Sequence, residues 1–289
     1  MLHNYIVTAW RNILRAKGFS LLNIAGLAVG LAVCMLILLY VRAETSFDAY
    51  HEHAGRIYRI QNAWLSADGS IQSEFSTLAP SYAGLLRTDF PEIERLARAW
   101  NRTGTIIKAG DRSFTEERFF FAEPEIFDIL TLPFIQGDPA TALDDVGGIV
   151  LSRTIARKYF GDADPMGRGL VLPSVNNMEF RVTGVMEDVP LHSHIHFDFL
   201  ASYISLKGLS GSGDADYFHG ARNFSDNVTA VYVRLAQPGG GTALQAKMPA
   251  FLDRHFPPRE DDQGRLVKTS ESRTLHVQKV KDIHLYAHT

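Results

Sequence analysis

The sequence predicts an α+β protein in which one N-terminal transmembrane helix precedes a domain of β-α-β units with an inserted strand-rich subdomain. Three observations predict this class. Residues 19–41 form an uncharged apolar run, and strand patterns alternate with helical patterns over residues 56–101 and again over residues 228–280. Between these two regions, short strand-like runs are separated by turn residues. The order of the patterns therefore predicts a membrane helix and two subdomains, one inserted into the other.

The apolar run at residues 19–41 is long enough to cross a bilayer. It contains 23 residues and no charged side chain, and Asn23 is its only strongly polar residue. A helix of this length rises roughly 34 Å, against about 30 Å for the hydrocarbon core of a bilayer. The alternative is a cleaved signal peptide, whose apolar region spans only ~7–15 residues and ends at a small-residue cleavage site. The longer run favours an uncleaved transmembrane helix over residues 19–42.

The chain before this helix is basic and amphipathic. Residues 1–18 contain Arg11, Arg15 and Lys17 and no acidic residue. Helical spacing places an apolar face that includes Trp10 opposite a basic face, which is typical of a helix lying in the membrane interface. Short basic flanks remain on the cytoplasmic side, so we expect a cytoplasmic N-terminus. Two interpretations stay open: a generic basic flank, and a helix that couples the membrane unit to a cytoplasmic partner.

Small residues form a stripe inside the predicted transmembrane helix. Gly18 is expected to turn the chain into this helix, and Gly26 and Gly30 then form a G-x-x-x-G pattern that Cys34 continues one turn later. Such a stripe lets a second helix approach closely, although glycine is also common in membrane helices generally. If it is a packing surface, it predicts partner helices in another subunit or in a further part of the protein.

The remaining residues, 43–289, are expected in the periplasm or the extracellular space and could form one large domain or two small ones. The net charge is −3, and since residues 1–18 carry +3, the rest sums to −6, which argues against a nucleic-acid partner. The single cysteine, Cys34, lies in the predicted span, so the exported part needs no disulfides. A bacterial periplasm or cell surface suits this composition.

Local patterns place the elements of the first β-α-β unit. A short helix capped by Asp48 is expected to lead into a strand over residues 56–64. Pro80 is placed to open a helix, and a second strand is expected over residues 95–101.

Further along the chain, Ser152 is expected to cap a helix over residues 153–160 that Gly161 ends. Residues 205–227 are rich in glycine, serine and aspartate, which predicts a flexible loop. The second β-α-β unit then contains a helix over residues 242–256.

Three alternate histidines form the one pattern that suggests a metal. If His192, His194 and His196 lie in a strand, they share a face, and with Asp198 they would converge on Zn²⁺ or Cu²⁺. The alternative is that they pack and hydrogen-bond locally, which the lack of a second ligand cluster favours. The sequence contains no G-x-x-x-x-G-K-[ST], G-x-S-x-G or H-E-x-x-H motif. We therefore predict no catalytic residue, bound cofactor or metal for this chain.

Four passages resemble the FtsX-like, MacB-type ABC transporter permeases. They are WRNILRAKGFSLLNIAGLAVGLAVCMLILLYVRAETSFDAYHEHAGRIYRI at residues 10–60, GIVLSRTIARKYFGDADPMGR at 148–168, FRVTGVMEDVPLHSHIHFDFL at 180–200 and VQKVKDIHLYAH at 277–288. The resemblance covers nearly the whole chain in the family's order. It also places His194 and His196 in a family-like passage, which further favours a structural role for them.

The resemblance implies a periplasmic core domain with an α/β porter-like part and an inserted β-rich sabre-like part. The domains expected on this basis are a cytoplasmic interfacial helix (1–18), a transmembrane helix (19–42), the first porter-like part (43–103), the sabre-like insertion (104–227) and the second porter-like part (228–289). In such permeases further transmembrane helices follow, so we expect this sequence to be the N-terminal part of a longer protein.

The resemblance also implies a function and partners. The chain would belong to the non-catalytic permease subunit of an ABC transporter in a bacterial inner membrane. A separate cytoplasmic ATPase subunit would bind ATP and Mg²⁺, and its motion would pass through the membrane to the periplasmic domain (mechanotransmission). The outcome would be export or extraction of drugs, peptides or lipoproteins. Expected partners are the lipid bilayer, the ATPase, a second permease copy or half, and a periplasmic adaptor or cargo.

Two other functions stay open at this point. A single-span extracytoplasmic sensor or ligand-binding module would need neither an ATPase nor further spans. A tethered metal enzyme built on His192, His194 and His196 is the less favoured of the two. Ligand-dependent stabilisation of the protein would favour the sensor.

Overall fold

The computed structural model describes residues 2–66, 68–174, 176–208, 217–218, 223–260 and 264–286. The chain divides into two compact units, Met1–Ser46 and Phe47–Thr289. The helices are α1 (Leu2–Arg15), α2 (Lys17–Thr45), α3 (Tyr82–Asp89), α4 (Ile126–Ile129), α5 (Arg153–Phe160), α6 (Gly241–His255), α7 (Thr269–Ser272) and α8 (Ile283–Tyr286), with 3₁₀ turns at Tyr203–Gly208 and Val280–Asp282.

Fifteen strands are found among the described residues, and thirteen of them form one sheet. The strands are β1 (Ile57–Leu65), β2 (Ile71–Phe75), β3 (Ile93–Asn101), β4 (Thr105–Ala109), β5 (Arg112–Glu116), β6 (Phe119–Ala122), β7 (Phe134–Gly137), β8 (Gly148–Ser152), β9 (Gly169–Leu172), β10 (Met178–Met186), β11 (Phe199–Ser202), β12 (Ala230–Leu235), β13 (Arg259–Glu260), β14 (Leu266–Val267) and β15 (Arg273–Lys279).

The first unit consists of two helices that meet at Ala16, whose backbone is not helical. The turn predicted at Gly18 is wrong, because Gly18 lies inside α2. α2 has 29 residues, none of them buried. Within the described part of the chain, it is the one helix long and apolar enough to cross a membrane. At about 1.5 Å per residue, α2 rises about 43 Å and extends beyond the predicted span of residues 19–42 at both ends.

The second unit contains two interleaved β-α-β units. Four neighbouring strands lie in the order β15-β1-β12-β3, and each pairs antiparallel with the next. β1 and β3 are therefore parallel and joined through α3, while β12 and β15 are parallel and joined by a connection that contains α6. This is the split β-α-β arrangement of ferredoxin-like folds. The predicted α+β class is confirmed.

Beyond β3, the same sheet continues in the order β6-β11-β8-β10-β9-β4-β5. Two of these pairings, β6 with β11 and β8 with β10, are parallel. α5 follows β8 as predicted: Ser152 Oγ accepts a hydrogen bond from the Ile155 N–H at 3.3 Å, and Gly161, with φ of +66°, follows the last residue of the helix. The boundaries predicted for the two subdomains stay predictions, and most of the loop predicted over residues 205–227 lies outside the described residues.

The two faces of the four-stranded segment bury different cores. On one face, α3 and α6 pack over apolar residues that include Tyr58 and Ile60. On the other face, Ile57 and Tyr232 pack with residues of α4 and of the chain before β11. Arg59 lies directly opposite Tyr232 in the register of β1 and β12, so it belongs to this second face. The candidate site described next is built on that face.

Candidate functional site

The chain adopts a left-handed conformation at Asp48, three residues after α2 ends. Residues 46–56 form turns rather than a helix, so the helix predicted to be capped by Asp48 is wrong. Asp48 has φ of +54° and a side chain with no exposed surface. Aspartate adopts this left-handed conformation more readily than most residues do. The carboxylate is held inside the domain, where it contacts a segment far away in the sequence.

The segment that Asp48 contacts lies just before β11. Asp48 Oδ1 accepts hydrogen bonds from Ser193 Oγ at 3.1 Å and from the backbone N–H of His194 at 3.2 Å. The backbone N–H of Asp48 in turn donates to the carbonyl of His192 at 2.9 Å. Tyr50 Oη donates to Ser193 Oγ at 3.1 Å, which extends the network by one more group. Two segments separated by about 145 residues are joined here by both backbone and side-chain hydrogen bonds.

The His194 ring links this network to the sheet. Its Nδ1 lies 2.9 Å from Asp48 Oδ1, outside the angular range of a good hydrogen bond, and its Nε2 lies 2.8 Å from Tyr232 Oη. Burial raises the pKa of Tyr232 to about 12, so its hydroxyl is protonated and can donate to Nε2. A neutral His194 then carries its proton on Nδ1, facing the carboxylate.

The charge states follow from the surroundings of each group. Burial alone would raise the pKa of Asp48, but the contacts with His194 and His51 outweigh it, and the pKa lies well below its usual range. Burial lowers the pKa of His194, and this effect exceeds the opposing effect of the Asp48 charge. At neutral pH the site therefore holds an ionised Asp48 beside a neutral His194.

His51 connects the same carboxylate to the chain after α4. Its Nδ1 accepts a hydrogen bond from the Thr131 N–H at 3.0 Å, and its Nε2 lies 3.6 Å from Asp48 Oδ1. The backbone N–H of Glu52 donates to Thr131 Oγ1 at 2.8 Å. The turn after α2 is thus tied to a third segment of the domain.

A ring stack ties the turn to the last described helix. The rings of Phe47 and His284 stack with centroids 3.4 Å apart and planes 3° from parallel. His284 lies in α8, directly after the final strand and its 3₁₀ turn. We call this set of contacts the junction; it consists of Phe47, Asp48, Tyr50, His51, Thr131, Ser193, His194, Tyr232 and His284.

The junction contains the residue types of a hydrolase triad, but their contacts differ from those of a triad. In a triad, the serine hydroxyl bonds the histidine Nε2 and the aspartate holds Nδ1. Here Nε2 faces Tyr232 Oη, and Ser193 Oγ donates to Asp48 instead. The side chains of Asp48 and His194 are also at most 3% exposed. This geometry holds segments together and leaves the imidazole no free position for proton transfer.

The three histidines proposed as metal ligands do not lie in a strand. Residues 190–198 are irregular, so the alternation that would bring His192, His194 and His196 onto one face is absent. His194 is buried in the junction, whereas His192 is exposed and packs edge-on against Tyr50 at 5.6 Å. Among the described side chains, no group of three His, Cys, Asp or Glu is placed to hold a metal ion. The convergence predicted from the spacing is wrong.

The residues predicted to act in the first unit lie on its two helices, although Lys17, predicted in the interfacial helix, belongs to α2. Gly26, Gly30 and Cys34 lie on α2, and a Cβ added to either glycine would meet no described atom within 4 Å. Trp10, Arg11 and Arg15 are exposed on α1, and Lys17 begins α2. Their roles in helix packing and coupling stay predictions.

The comparison with protein families decides what kind of domain carries this junction. The profile described as the MacB-like periplasmic core domain matches residues 20–251. The chain belongs to the MacB-like periplasmic core domain family. This match covers most of α2 and runs through the interleaved sheet as far as α6. Together with the apolar α2, the family indicates a membrane-anchored protein whose second unit lies outside the cytoplasm.

Solved structures show the same fold at low sequence identity. A domain from a Porphyromonas gingivalis protein described as a permease has a TM-score of 0.62 and 19% identity, over 79% of this chain and 91% of that one. The periplasmic region of MacB from Actinobacillus actinomycetemcomitans has a TM-score of 0.52 and 16% identity, over 81% and 94%. No curated protein matches the sequence significantly. The predicted resemblance to MacB-type periplasmic domains is confirmed.

Within this MacB-like domain, sequence reasoning missed the junction. Asp48 was expected to cap a helix, and its contacts with Ser193 and His194 join positions that no local pattern relates. Both ends of the contact do fall in passages that resemble the family, at residues 10–60 and 180–200. That coincidence was the only signal in the sequence that could have suggested a shared role.

Proposed function

We propose that this chain is part of the permease subunit of a bacterial ABC transporter, and that the junction passes conformational change between membrane helices and the periplasmic domain. Membership of the MacB-like family supports the first half of the proposal. The second half rests on one observation: the residues that directly follow α2 are fixed to several distant segments of the domain by buried polar contacts.

The junction suits this role because it is rigid where the chain leaves the apolar helix. Only Ser46 separates the end of α2 from Phe47, which stacks on α8, and Asp48 comes next. Buried, charge-assisted hydrogen bonds are among the stronger polar contacts in proteins and resist local fraying. A displacement of the chain at Phe47 would therefore move α8 and the segment before β11 together instead of being absorbed in a flexible linker.

The proposal extends to partners and placement. An ATPase subunit would bind ATP and Mg²⁺ in the cytoplasm and act through the membrane helices, with α1 lying near it at the inner face of the bacterial inner membrane. Gly26, Gly30 and Cys34 would pack on helices of the same permease or of a second copy. The cargo class would be drugs, peptides or lipoproteins, as in the export or extraction systems that the sequence resembles.

A pull-down from the native host tests the assembly. The gene product that contains this chain is tagged, extracted from membranes in a mild detergent and analysed by mass spectrometry. We expect a co-purifying ATPase with a G-x-x-x-x-G-K-[ST] loop, the nucleotide-binding motif that this sequence does not contain. Purification without any such ATPase would contradict the proposal and would favour a single-span sensor.

Hydrogen exchange on the purified complex tests the coupling. We expect ATP to change the exchange rates of residues 47–53 and 189–198, because both ranges belong to the junction or flank it. Asp48→Ala should abolish the change in residues 189–198, whereas Asp111→Asn, an exposed aspartate in the turn between β4 and β5, should keep it. An unchanged ATP response in folded Asp48→Ala would refute transmission through the junction.

A further inference from the structure

A second feature of the same face is an open cleft beside the junction, with a volume of about 440 Å³. Its walls come from β1, β12, the ends of β3 and β6, and the irregular segment before β11. This size lies in the range of small-ligand sites. The proposed coupling function does not require a ligand in this cleft.

The charged side chains that line the cleft are all basic. Arg59 and Arg118 line it together with His194 and His196, and no aspartate or glutamate does. Neither arginine has a carboxylate within 4 Å among the described residues. Asp198, half-buried outside the lining, is near enough for the Arg118 charge to act on its pKa. The cleft therefore presents positive charge that no lining carboxylate neutralises.

Of the two arginines, Arg59 gives the stronger evidence that the cleft binds an anion. It is only 8% exposed, its Nη2 donates to the neutral Gln278 Oε1 at 3.3 Å, and its guanidinium also acts on the protonated Tyr232 hydroxyl, so both of these partners are uncharged. Its Nε is buried and has no hydrogen-bond partner among the described residues. A buried guanidinium is costly unless a negative group compensates it. An anion in the cleft would supply the missing partner.

The other walls of the cleft are apolar or weakly polar. Phe120, Ile195 and Val228 provide apolar surface, and Ser76 and Asn101 provide neutral hydrogen-bonding groups. A site with this lining fits a molecule that carries a negative group beside an apolar part. Guanidinium groups bind carboxylates and phosphates alike, because both present paired oxygens to the planar N–H fork.

We propose that this cleft binds a small organic anion, with a carboxylate or phosphate held by Arg59 and Arg118 and an apolar group packed near Phe120. The inference goes beyond the coupling function, because the cleft would bind such an anion whether or not the junction transmits motion. It also assigns a ligand class to a surface next to His194, so the occupied cleft would lie against the junction.

Calorimetric titration of the full chain in a nonionic detergent at low ionic strength tests the proposal. The probes are phenyl phosphate and benzoate, with benzamide as the neutral analogue. For ligands of this size we expect a Kd on the order of 1 mM for at least one anion, and much weaker binding of benzamide. Tighter binding of phenyl phosphate would assign the site to phosphates, and tighter binding of benzoate would assign it to carboxylates.

Arginine variants inside and outside the cleft test whether the anions bind at the cleft. Arg118 is exposed, so Arg118→Gln should fold and should raise the Kd about tenfold or more through loss of a charge-assisted contact. Arg118→Lys should bind with intermediate affinity, and Arg181→Gln, an exposed arginine on β10 outside the cleft, should bind like the wild type. The proposal is overturned if neither anion binds, if benzamide binds as tightly as benzoate, or if Arg118→Gln has no effect.

Discussion

Replacement of Asp48 by asparagine or alanine separates the contribution of its charge from that of its backbone conformation. Asp48→Asn keeps the side-chain size and tolerates φ of +54°, but it removes the negative charge that Ser193 and His194 face. Hydrogen bonds to charged groups contribute about 1.5–3 kcal/mol, against about 1 kcal/mol for neutral ones. We therefore expect Asp48→Asn to lower the free energy of unfolding by about 2 kcal/mol at pH 7.

Asp48→Ala should lower the free energy of unfolding further than Asp48→Asn does, for two reasons. It leaves the buried Ser193 hydroxyl and His194 N–H without an acceptor, at about 1–3 kcal/mol for each unsatisfied group. It also places alanine in the left-handed region, at roughly 1 kcal/mol. Since such costs are not fully additive, we expect a loss of about 4 kcal/mol, similar to the removal of one partner from a buried ion pair.

Urea unfolding of the full chain in nonionic detergent measures both losses. Trp64 and Trp100 report on the second unit, and Trp10 lies in the first. The exposed Asp111→Asn serves as the control for loss of one negative charge. If Asp48→Asn stays within about 0.5 kcal/mol of the wild type, Asp48 does not act as a buried, ionised acceptor, and our account of the junction is refuted.

The pH dependence provides a second check on Asp48. Because its pKa is lowered in the folded state, its stabilising contribution is fully present above the ordinary aspartate pKa of about 4 and is lost as the pH falls towards the folded pKa. The gap between the wild type and Asp48→Asn should therefore be constant from about pH 5 to pH 8 and should narrow below about pH 4.

Three further predictions follow from other parts of the structure. Burial lowers the pKa of His194 in the folded state, so the free energy of unfolding should fall as the pH drops below about 6.5, by at most about 1.4 kcal/mol per pH unit. His194→Gln should reduce this pH dependence in a series of urea titrations at different pH values. Gly137→Ala should lower the free energy of unfolding by about 3 kcal/mol in the same assay, because Gly137 has φ of +89° and the added Cβ would collide with the β10 backbone. The control Gly104→Ala should lower it by only about 1 kcal/mol, because Gly104 has φ of +66° but lies in open space. Gly26→Leu with Gly30→Leu should impair complex assembly, measured by co-purification; intact assembly and transport would exclude a packing role for this stripe.

The sequence predicted the features whose causes are local. The apolar helix follows from an uncharged run long enough to cross a bilayer, and α5 follows from a serine cap and a terminating glycine. Strands β1 and β3 were placed to within about two residues, and β-branched and aromatic residues mark β1. In each case, neighbouring residues determine the structure, so a short stretch of the sequence is sufficient to predict it.

The features that the sequence did not predict depend on distant contacts. Asp48 has the residue type of a helix cap, but its partners Ser193 and His194 lie about 145 residues away and draw it into a left-handed turn. The histidine alternation predicted a common face only if the segment is a strand, and the contacts with Asp48 and Tyr232 hold it irregular instead. The cleft likewise could not be predicted from the sequence, because Arg59 and Arg118 are distant in the chain and line the same cleft only in the folded sheet.

The interleaved strand order also has a consequence for synthesis of the chain. Over its first half, β1 has β12 and β15 as its neighbours, and the register pairs Tyr58 with Val233 and Ile60 with Val277. These partners leave the ribosome long after β1, so both edges of β1 stay unpaired while most of the described domain is synthesised. Long-range pairing of this kind slows folding and exposes strands to aggregation. The nascent chain is therefore expected to need chaperone protection until β15 has emerged on the far side of the membrane.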